Sequence, residues 1–138
     1  MNNNKITVEV FVNAPVNKVW ECWNEPKHMV NWCFASEDWH CPRASNDLKV
    51  GGKFTSRMEA KDGSFGFDFE GVYERLENEQ LIDYSMEDGR KVNILFEDAG
   101  EATIVTETFD PENENPLEMQ RMGWQAILNN FKSYTESL

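Results

Sequence analysis

The sequence has 138 residues, a net charge of −12 and a hydrophobic fraction of 40%, which suits one domain with a sizeable core. So acidic a surface excludes binding to nucleic acid or to an anionic membrane by charge alone, because phosphate recognition needs basic side chains. Three cysteines, Cys22, Cys33 and Cys41, lack the spacing of a zinc or redox motif, and we find no secretory signal or membrane-spanning run. We therefore expect a single domain over residues 1–138 in the cytoplasm, with free thiols and no metal or cofactor, as a monomer or homodimer.

The first part of the chain predicts a strand followed by two short helices. Apolar residues alternate over residues 6–12, as in a half-buried strand. A helix follows Pro15, with Trp20 and Trp23 facing inward. Pro26 ends that helix, because proline disfavours helical geometry in the preceding residue, and residues 27–32 form a second short helix.

The middle of the chain predicts a meander of antiparallel strands. Residues 34–47 show no periodicity and predict a loop, with a short strand near residues 44–50. Tight turns, two of them at Asp-Gly pairs, then separate five longer strands. These strands cover residues 53–60, 65–76, 81–87, 91–97 and 102–109. Gly51, Gly52, Gly66 and Gly71 are candidate positions for bulges.

The last strand has two possible orientations. Either Ile104, Thr106 and Thr108 face inward, or Val105, Glu107 and Phe109 do. The second choice buries a carboxyl group, which is costly unless the group is paired and would then indicate a functional site. The sequence leaves both choices open.

A long amphipathic helix is predicted over residues 115–138. Asn115 is the expected N-cap, Pro116 suits the first turn, and Glu118 stands at the capping-box position. Gly123 is unusual, because a glycine inside a helix costs about 1 kcal/mol relative to alanine. It indicates either close approach of another backbone or space left for a ligand. The inward stripe comprises Leu117, Trp124, Leu128, Phe131, Tyr134 and Leu138, widened by Met119, Met122 and Ala126.

Helices segregated from a run of antiparallel strands predict an α+β fold, in which the long helix covers the aromatic face of the sheet. Several short motifs support this arrangement by their order. They are Ala14-Pro15-Val16 with Val19-Trp20 and Trp23, then Trp32, residues 47–54 (DLKVGGKF), Gly71 with Tyr73, and Gly123-Trp124. In these motifs the chain resembles the START-like helix-grip superfamily, also called SRPBCC. The resemblance is to the branch related to the C-terminal domain of the activator of the ninety-kilodalton heat-shock-protein ATPase.

The resemblance implies a helix-grip fold, a curved antiparallel sheet around a C-terminal helix with a hydrophobic cavity between them. On this basis we expect a non-enzymatic module that binds a small hydrophobic or aromatic ligand. The expected pocket residues are Trp32, Phe34, Trp39, Phe54, Met58, Phe67, Phe69, Tyr84, Met86, Phe96, Met119, Trp124 and Leu128. The same residues could instead simply fill a core, since protein interiors are close-packed.

Two other functions stay open. The resemblance to the ATPase activator implies a possible chaperone partner. Relatives elsewhere in the superfamily are polyketide cyclases or aromatases, but no catalytic residues can be assembled from the spacing here. Convergence of His40, Tyr84 or Glu107 inside a pocket would favour an enzyme. His40 beside Cys41, with Cys33 nearby, fits no standard metal site.

Overall fold

A computed structural model describes residues 5–138, and over these residues the chain forms an α+β fold with the predicted order of elements. The strands are β1 (Ile6–Val12), β2 (Trp39–His40), β3 (Ala44–Asn46), β4 (Lys53–Ala60), β5 (Gly66–Glu77), β6 (Leu81–Ser85), β7 (Lys91–Asp98) and β8 (Thr103–Phe109). The helices are α1 (Val16–Asn24), α2 (Pro26–Met29) and α3 (Leu117–Glu136). None of the helices in the described part of the chain combines the length and apolarity needed to cross a lipid bilayer.

The strands form one antiparallel sheet in the order β1-β8-β7-β6-β5-β4-β2, with β3 also paired to β4. The last strand, β8, returns to pair with β1 along the whole length of β1. Strand β1 therefore forms one edge of the sheet. The sequence predicted one strand fewer: β2 has only two residues, too few to show a periodicity. The strand near residues 44–50 is also shorter than predicted, since β3 ends at Asn46.

A β-bulge interrupts the pairing of β5 with β6 between Tyr73 and Arg75. It therefore does not lie at any of the four glycines proposed for it. Gly71 has a different role. A methyl group there would lie 2.4 Å from the ring of Tyr84 and 2.6 Å from the ring of Phe54. Glycine at this position leaves room for both aromatic rings above the backbone on the inner face of the sheet.

Helix α1 packs on the inner face of the sheet, with both tryptophans facing inward as predicted. The rings of Trp20 and Trp23 pack edge-on against Phe96 of β7, with centroids 5.0 and 5.8 Å from it. Trp23 also packs on Trp32, whose indole N–H donates to the backbone carbonyl of Cys22. These contacts fix α1 to the sheet.

Helix α3 begins differently from the prediction. It starts at Leu117 with Pro116 as N-cap and has no side-chain cap. The Asn115 amide instead donates to the carboxylate of Glu112 in the preceding connector, and Glu118 pairs with Arg121. The capping-box prediction was wrong because Glu112 and Arg121 offer charged partners for these side chains.

Helix α3 approaches the sheet most closely at β1. Leu128 and Phe131 are fully buried, and the ring of Phe131 packs edge-on against Trp23 and Trp32. At the far end, Lys132 donates to the carbonyl of Phe11, and Glu136 accepts from the backbone N–H of Asn13. The C-terminal half of the helix is thus fixed to one side of the sheet.

Candidate functional site

A cavity of about 360 Å³ lies within the fold and is open on one side. Its wall is mainly apolar and aromatic, as is typical of small-molecule sites. The apolar part comprises Trp23, Met29, Trp32, Phe54, Met58, Phe67, Phe69, Ile82, Met86, Trp124 and Ile127. The polar part comprises Asn24, Cys33, Ser56, Tyr73, Tyr84, Arg90, Glu107, Glu112 and Gln120. The strands β4 to β6 and β8 therefore form its floor, and α3 forms its roof.

Trp124 sets the height of the roof. Its ring stacks on Phe109 of β8, with centroids 3.8 Å apart and planes 11° apart. Its edge meets Phe69 of β5 at 5.9 Å. A large ring placed between helix and sheet holds the two apart, so smaller neighbours such as Ile127 leave space beneath the helix.

Gly123 does not mark close approach of another backbone, one of the two explanations open from the sequence. A methyl group built at Gly123 would meet no atom within 4 Å. Met119 and Met122 on the same shoulder of α3 are 58% and 63% exposed. This shoulder therefore faces open space and is not packed against the sheet.

The connector before α3 forms one edge of the cavity and is held by the buried side chain of Gln120. Its amide oxygen accepts from the backbone N–H of Glu112, and its amide nitrogen donates to the carbonyls of Glu112 and Asn115. The carboxylate of Glu112 accepts two backbone N–H groups, from Glu114 and Asn115. The hydrogen bond from the Asn115 side-chain amide, together with these two, lowers the pKa of Glu112.

At another edge of the cavity, a chain of hydrogen bonds links Tyr73, Asn46 and Asn24. The hydroxyl of Tyr73 donates to the amide oxygen of Asn46 at 2.6 Å, and the Asn46 amide nitrogen donates to the carbonyl of Asn24 at 2.7 Å. The Asn24 amide nitrogen is bonded to the Trp20 carbonyl, but its buried oxygen has no partner in the described chain. Burial raises the pKa of Tyr73, so this phenol is a neutral donor.

Glu107 is the most unusual group in the wall. Strand β8 places Val105, Glu107 and Phe109 inward, so the second of the two orientations left open by the sequence is the observed one. The side chain of Glu107 is 7% exposed. Burial is the cause that raises its pKa to about 8; no cation or hydrogen-bond donor among residues 5–138 opposes it. The carboxyl group is therefore mainly protonated at neutral pH.

Two further groups near Glu107 are also held neutral by burial. The pKa of the Cys33 thiol is raised to about 12. The pKa of Tyr84 lies well above its usual value, and a negative charge on Glu107 would raise it further. The floor of the cavity thus carries neutral polar groups in an apolar surround.

The structure brings eight of the thirteen expected pocket residues to the cavity wall. They are Trp32, Phe54, Met58, Phe67, Phe69, Tyr84, Met86 and Trp124. The other five lie elsewhere. Phe96 packs under the two helices, Leu128 is buried against the sheet, and Met119 is exposed. Phe34 accepts a bond from Asn130 through its carbonyl, and Trp39 packs on Phe65 and Phe67.

Several wall residues were not anticipated from the sequence. Ser56 lies between Phe54 and Met58 on the inward side of β4, and Tyr73 continues the inward alternation of β5. Strict use of strand alternation would have found both. Asn24, Arg90 and Gln120 reach the cavity from a helix end, a turn and the last helix. No periodic signal marks such positions.

The histidines lie outside the cavity wall. His40 on β2 is 3.8 Å from the Glu59 carboxylate. His28 hydrogen-bonds through Nδ1 to the hydroxyl of Tyr134 at 2.6 Å. Within residues 5–138, Glu21, Glu25 and His28 come close enough to share a cation, but the two glutamates are exposed. Of the three residues considered for acid–base chemistry, Tyr84 and Glu107 line the cavity and His40 does not.

Comparison with known families places this architecture in context. The model of the family described as Activator of Hsp90 ATPase homolog 1-like protein matches residues 13–136. No curated protein matches the chain.

Solved structures from bacteria share the fold. An AHSA1-like protein from Aeromonas hydrophila is 43% identical, with a TM-score of 0.90, over 96% of this chain and 92% of its own. A protein from Cytophaga hutchinsonii is 58% identical, with a TM-score of 0.84, over 98% and 94% of the two chains. A protein from Chromobacterium violaceum is only 20% identical yet has a TM-score of 0.84 over 96% and 97%. This last likeness extends to the fold alone.

Proposed function

The chain belongs to the family of Activator of Hsp90 ATPase homolog 1-like proteins, and we propose that it is a non-enzymatic module that binds a small apolar or aromatic ligand. The observation that carries the proposal is the cavity of about 360 Å³ between sheet and α3. Its volume is within the range of known ligand sites, and its aromatic wall suits a flat apolar molecule.

The wall also explains how such a ligand would be held. Phe54 and Tyr84 meet edge to face at 4.7 Å, and Trp124 is fixed by stacking on Phe109. Rigid rings lose little conformational entropy when a ligand arrives, so more of the gain from apolar burial remains as affinity. Met58 and Met86 add flexible side chains that adapt to the shape of the ligand.

Native mass spectrometry of the protein isolated from cell extract, with displacement of an environment-sensitive dye, tests this function. The variant Ile127→Trp fills the cavity from the helix and should abolish both a bound mass and dye binding. The matched control Leu95→Trp adds the same ring on a strand position that is 43% exposed and should leave binding intact. Equal dye binding by both variants, or none by the native protein, would refute the proposal.

A second candidate function is contact with a heat-shock chaperone, and one surface feature favours it. The rings of Trp39, Phe65 and Phe67 lie 5.9 to 6.2 Å from one another at the β4–β5 hairpin. Phe65 is 62% exposed and Phe67 is 40% exposed. Contiguous exposed aromatic rings are typical of protein-binding surfaces, and the family description names a chaperone ATPase.

A pull-down and an ATPase assay with the Hsp90-type chaperone of the same organism test this second function. Phe65→Ser should weaken the complex, whereas Phe11→Ser, at a strand position 51% exposed, should not. Unchanged ATPase turnover and no complex at micromolar concentration would exclude the second function while leaving ligand binding untouched.

The cytoplasm is the location that we infer from the cysteines. Cys22, Cys33 and Cys41 are all buried and free. Free thiols persist in a reducing compartment, whereas oxidising compartments favour disulfides. Fractionation of the source cells with a reducing-compartment marker tests the location.

A further inference from the structure

Glu107 and Tyr84 place two hydroxyl donors in the wall of the cavity without a protein acceptor. Glu107 pairs across the sheet with Val8 of β1 and Ile94 of β7, and both of these residues are buried and apolar. Neither neighbouring strand therefore offers a charge or a hydrogen bond to the carboxyl group. Burial alone raises its pKa, without any opposing cation, and the Tyr84 phenol likewise has no hydrogen bond that affects its pKa.

The other charged groups of the cavity are already engaged. Arg90 forms an ion pair with Asp88 at 2.8 Å, and Glu112 accepts hydrogen bonds from Glu114 and Asn115. Arg90 is therefore already paired, and the negative charge of Glu112 could only oppose ionisation of Glu107. The acid therefore stays protonated in the empty cavity and, like a phenol, presents an O–H group to whatever enters.

The two donors line the same cavity. A negative charge on Glu107 is among the causes that raise the pKa of Tyr84, second only to burial. A carbonyl oxygen has two lone pairs and can accept from one donor or from two. An apolar site with neutral O–H donors, whose lining cation Arg90 is paired with Asp88, therefore complements a ligand that presents an uncharged acceptor.

We propose that this cavity selects apolar carbonyl compounds, ketones in particular, and that neutral Glu107 and Tyr84 donate hydrogen bonds to the ligand oxygen. The inference rests on the proposed ligand-binding function and names the class of ligand. An anionic ligand would have to compete with Asp88 for Arg90, the cation that lines the cavity. An ammonium ligand would require Glu107 to ionise in an apolar wall, where the desolvation of both charges offsets much of their attraction.

Three compounds that share one bicyclic skeleton test the proposal by NMR titration of the full chain. They are 1-tetralone, tetralin and 1-aminotetralin, which differ only in carrying a carbonyl, no polar group or an ammonium group. At about pH 6 the ketone should bind roughly tenfold more tightly than the hydrocarbon, the effect of one or two neutral hydrogen bonds. The amine should bind no more tightly than the hydrocarbon.

Two variants assign the preference to Glu107. Glu107→Leu should reduce the preference for the ketone and keep the binding of tetralin, since only a donor is removed. Glu107→Gln retains an N–H donor and should keep the preference. Chemical-shift changes should centre on the backbone amides of β6 and β8, and a folded spectrum of each variant is the control for its integrity.

The pH dependence supplies an independent measurement. Above about pH 8 the native protein should lose its preference for the ketone as Glu107 ionises, whereas Glu107→Gln should not. Cys33 and Tyr84, the other titratable groups near Glu107, have pKa values raised far above this range. Arg90 and Glu112 are engaged as described, and the pKa of Glu112 is lowered.

The outcomes separate the two proposals. If tetralone binds no more tightly than tetralin, the ketone preference is wrong while the binding function stands. If aminotetralin binds most tightly and Glu107→Gln removes that advantage, the carboxylate selects a cation and the proposal is overturned. If none of the three compounds shifts any cavity resonance, the proposed binding function and this inference both fail.

Discussion

The indole ring of Trp124 lies parallel to the ring of Phe109, with centroids 3.8 Å apart and planes 11° apart. This stack joins the roof of the cavity to its floor, because Trp124 belongs to α3 and Phe109 to β8. The opposite edge of the indole meets Phe69. One side chain therefore both anchors the helix and defines the size of the space beneath it.

Truncation of this ring should destabilise the protein and enlarge the cavity. Trp124→Ala is expected to lower the free energy of unfolding by about 2–4 kcal/mol, because apolar contacts with two rings are lost and space is left behind. Trp124→Phe should retain part of the stack and lower it by about 1 kcal/mol. Urea denaturation measures both. Met122→Ala, at a position 63% exposed, is the control and should change stability by less than about 0.5 kcal/mol.

The protonated state of Glu107 predicts a specific pH dependence of stability. Its pKa is about 8 in the folded protein against 4.5 in the unfolded chain, so the folded state binds one more proton between these values. Stability should therefore fall as pH rises from about 5 to about 8, by a few kcal/mol, and level off above that. Urea denaturation across this range measures the fall.

Glu107→Gln should be markedly less sensitive to pH in the same range, since it has no proton to lose. The carboxyl groups with lowered pKa values, Glu59, Glu74 and Asp110 among them, add stability above their unfolded pKa values that is lost as pH falls. They therefore act on the acidic side of this window. A native protein whose stability does not fall from about pH 5 to about pH 8 relative to the variant would contradict the neutral buried acid.

Two glycines should respond oppositely to the same substitution. Gly123→Ala adds a methyl group into open space and improves helix propensity, so it should raise stability by about 0.5–1 kcal/mol. Gly71→Ala forces a methyl group against Tyr84 and Phe54 and should lower stability by about 1–3 kcal/mol. Thermal denaturation compares them. Destabilisation by Gly123→Ala would show that another part of the protein needs glycine there.

The hydrogen bond from Tyr73 to Asn46 should contribute measurably to stability. Tyr73→Phe removes the donor and leaves a part-buried amide oxygen without its partner, which is expected to cost about 1–2 kcal/mol. Asn46→Ala in the Tyr73→Phe background should add less than it does alone, since both act on one bond. Additive losses in this double-mutant cycle would mean that the two groups are not coupled.

Much of the fold could be predicted because it depends on local pattern. The alternation of apolar and polar residues in β1 and β7 predicted which face of each strand is buried. The tight Asp-Gly turns predicted that the strands they join pair in antiparallel fashion. The start of α3 was predicted incorrectly because Asn115 and Glu118 have charged partners that helix-capping rules do not consider. Strand β2 was missed because two residues show no period.

The site was less predictable than the fold, for a physical reason. The alternation of side chains along each strand shows that Phe54, Phe69 and Tyr84 face inward. It cannot show whether the helix packs directly on them. That depends on the size of one spacer, Trp124, and on where its ring is held. The orientation of Glu107 likewise follows from the pairing of β8 with β1 and β7. The sequence of β8 alone could not decide it, because apolar and polar residues occur on both faces of the strand.

The attachment of α3 chiefly to β1 separates the residues that hold the protein together from those that surround the empty space. Leu128 and Phe131 are fully buried in the core, while Phe54, Met58 and Phe67 on β4 and β5 line the cavity. Substitutions in the second group should therefore alter the shape of the cavity, whereas substitutions in the first group should loosen the helix. Related proteins can diverge in what they bind while keeping one fold, and the same separation makes this domain a practical starting point for redesigned small-molecule receptors.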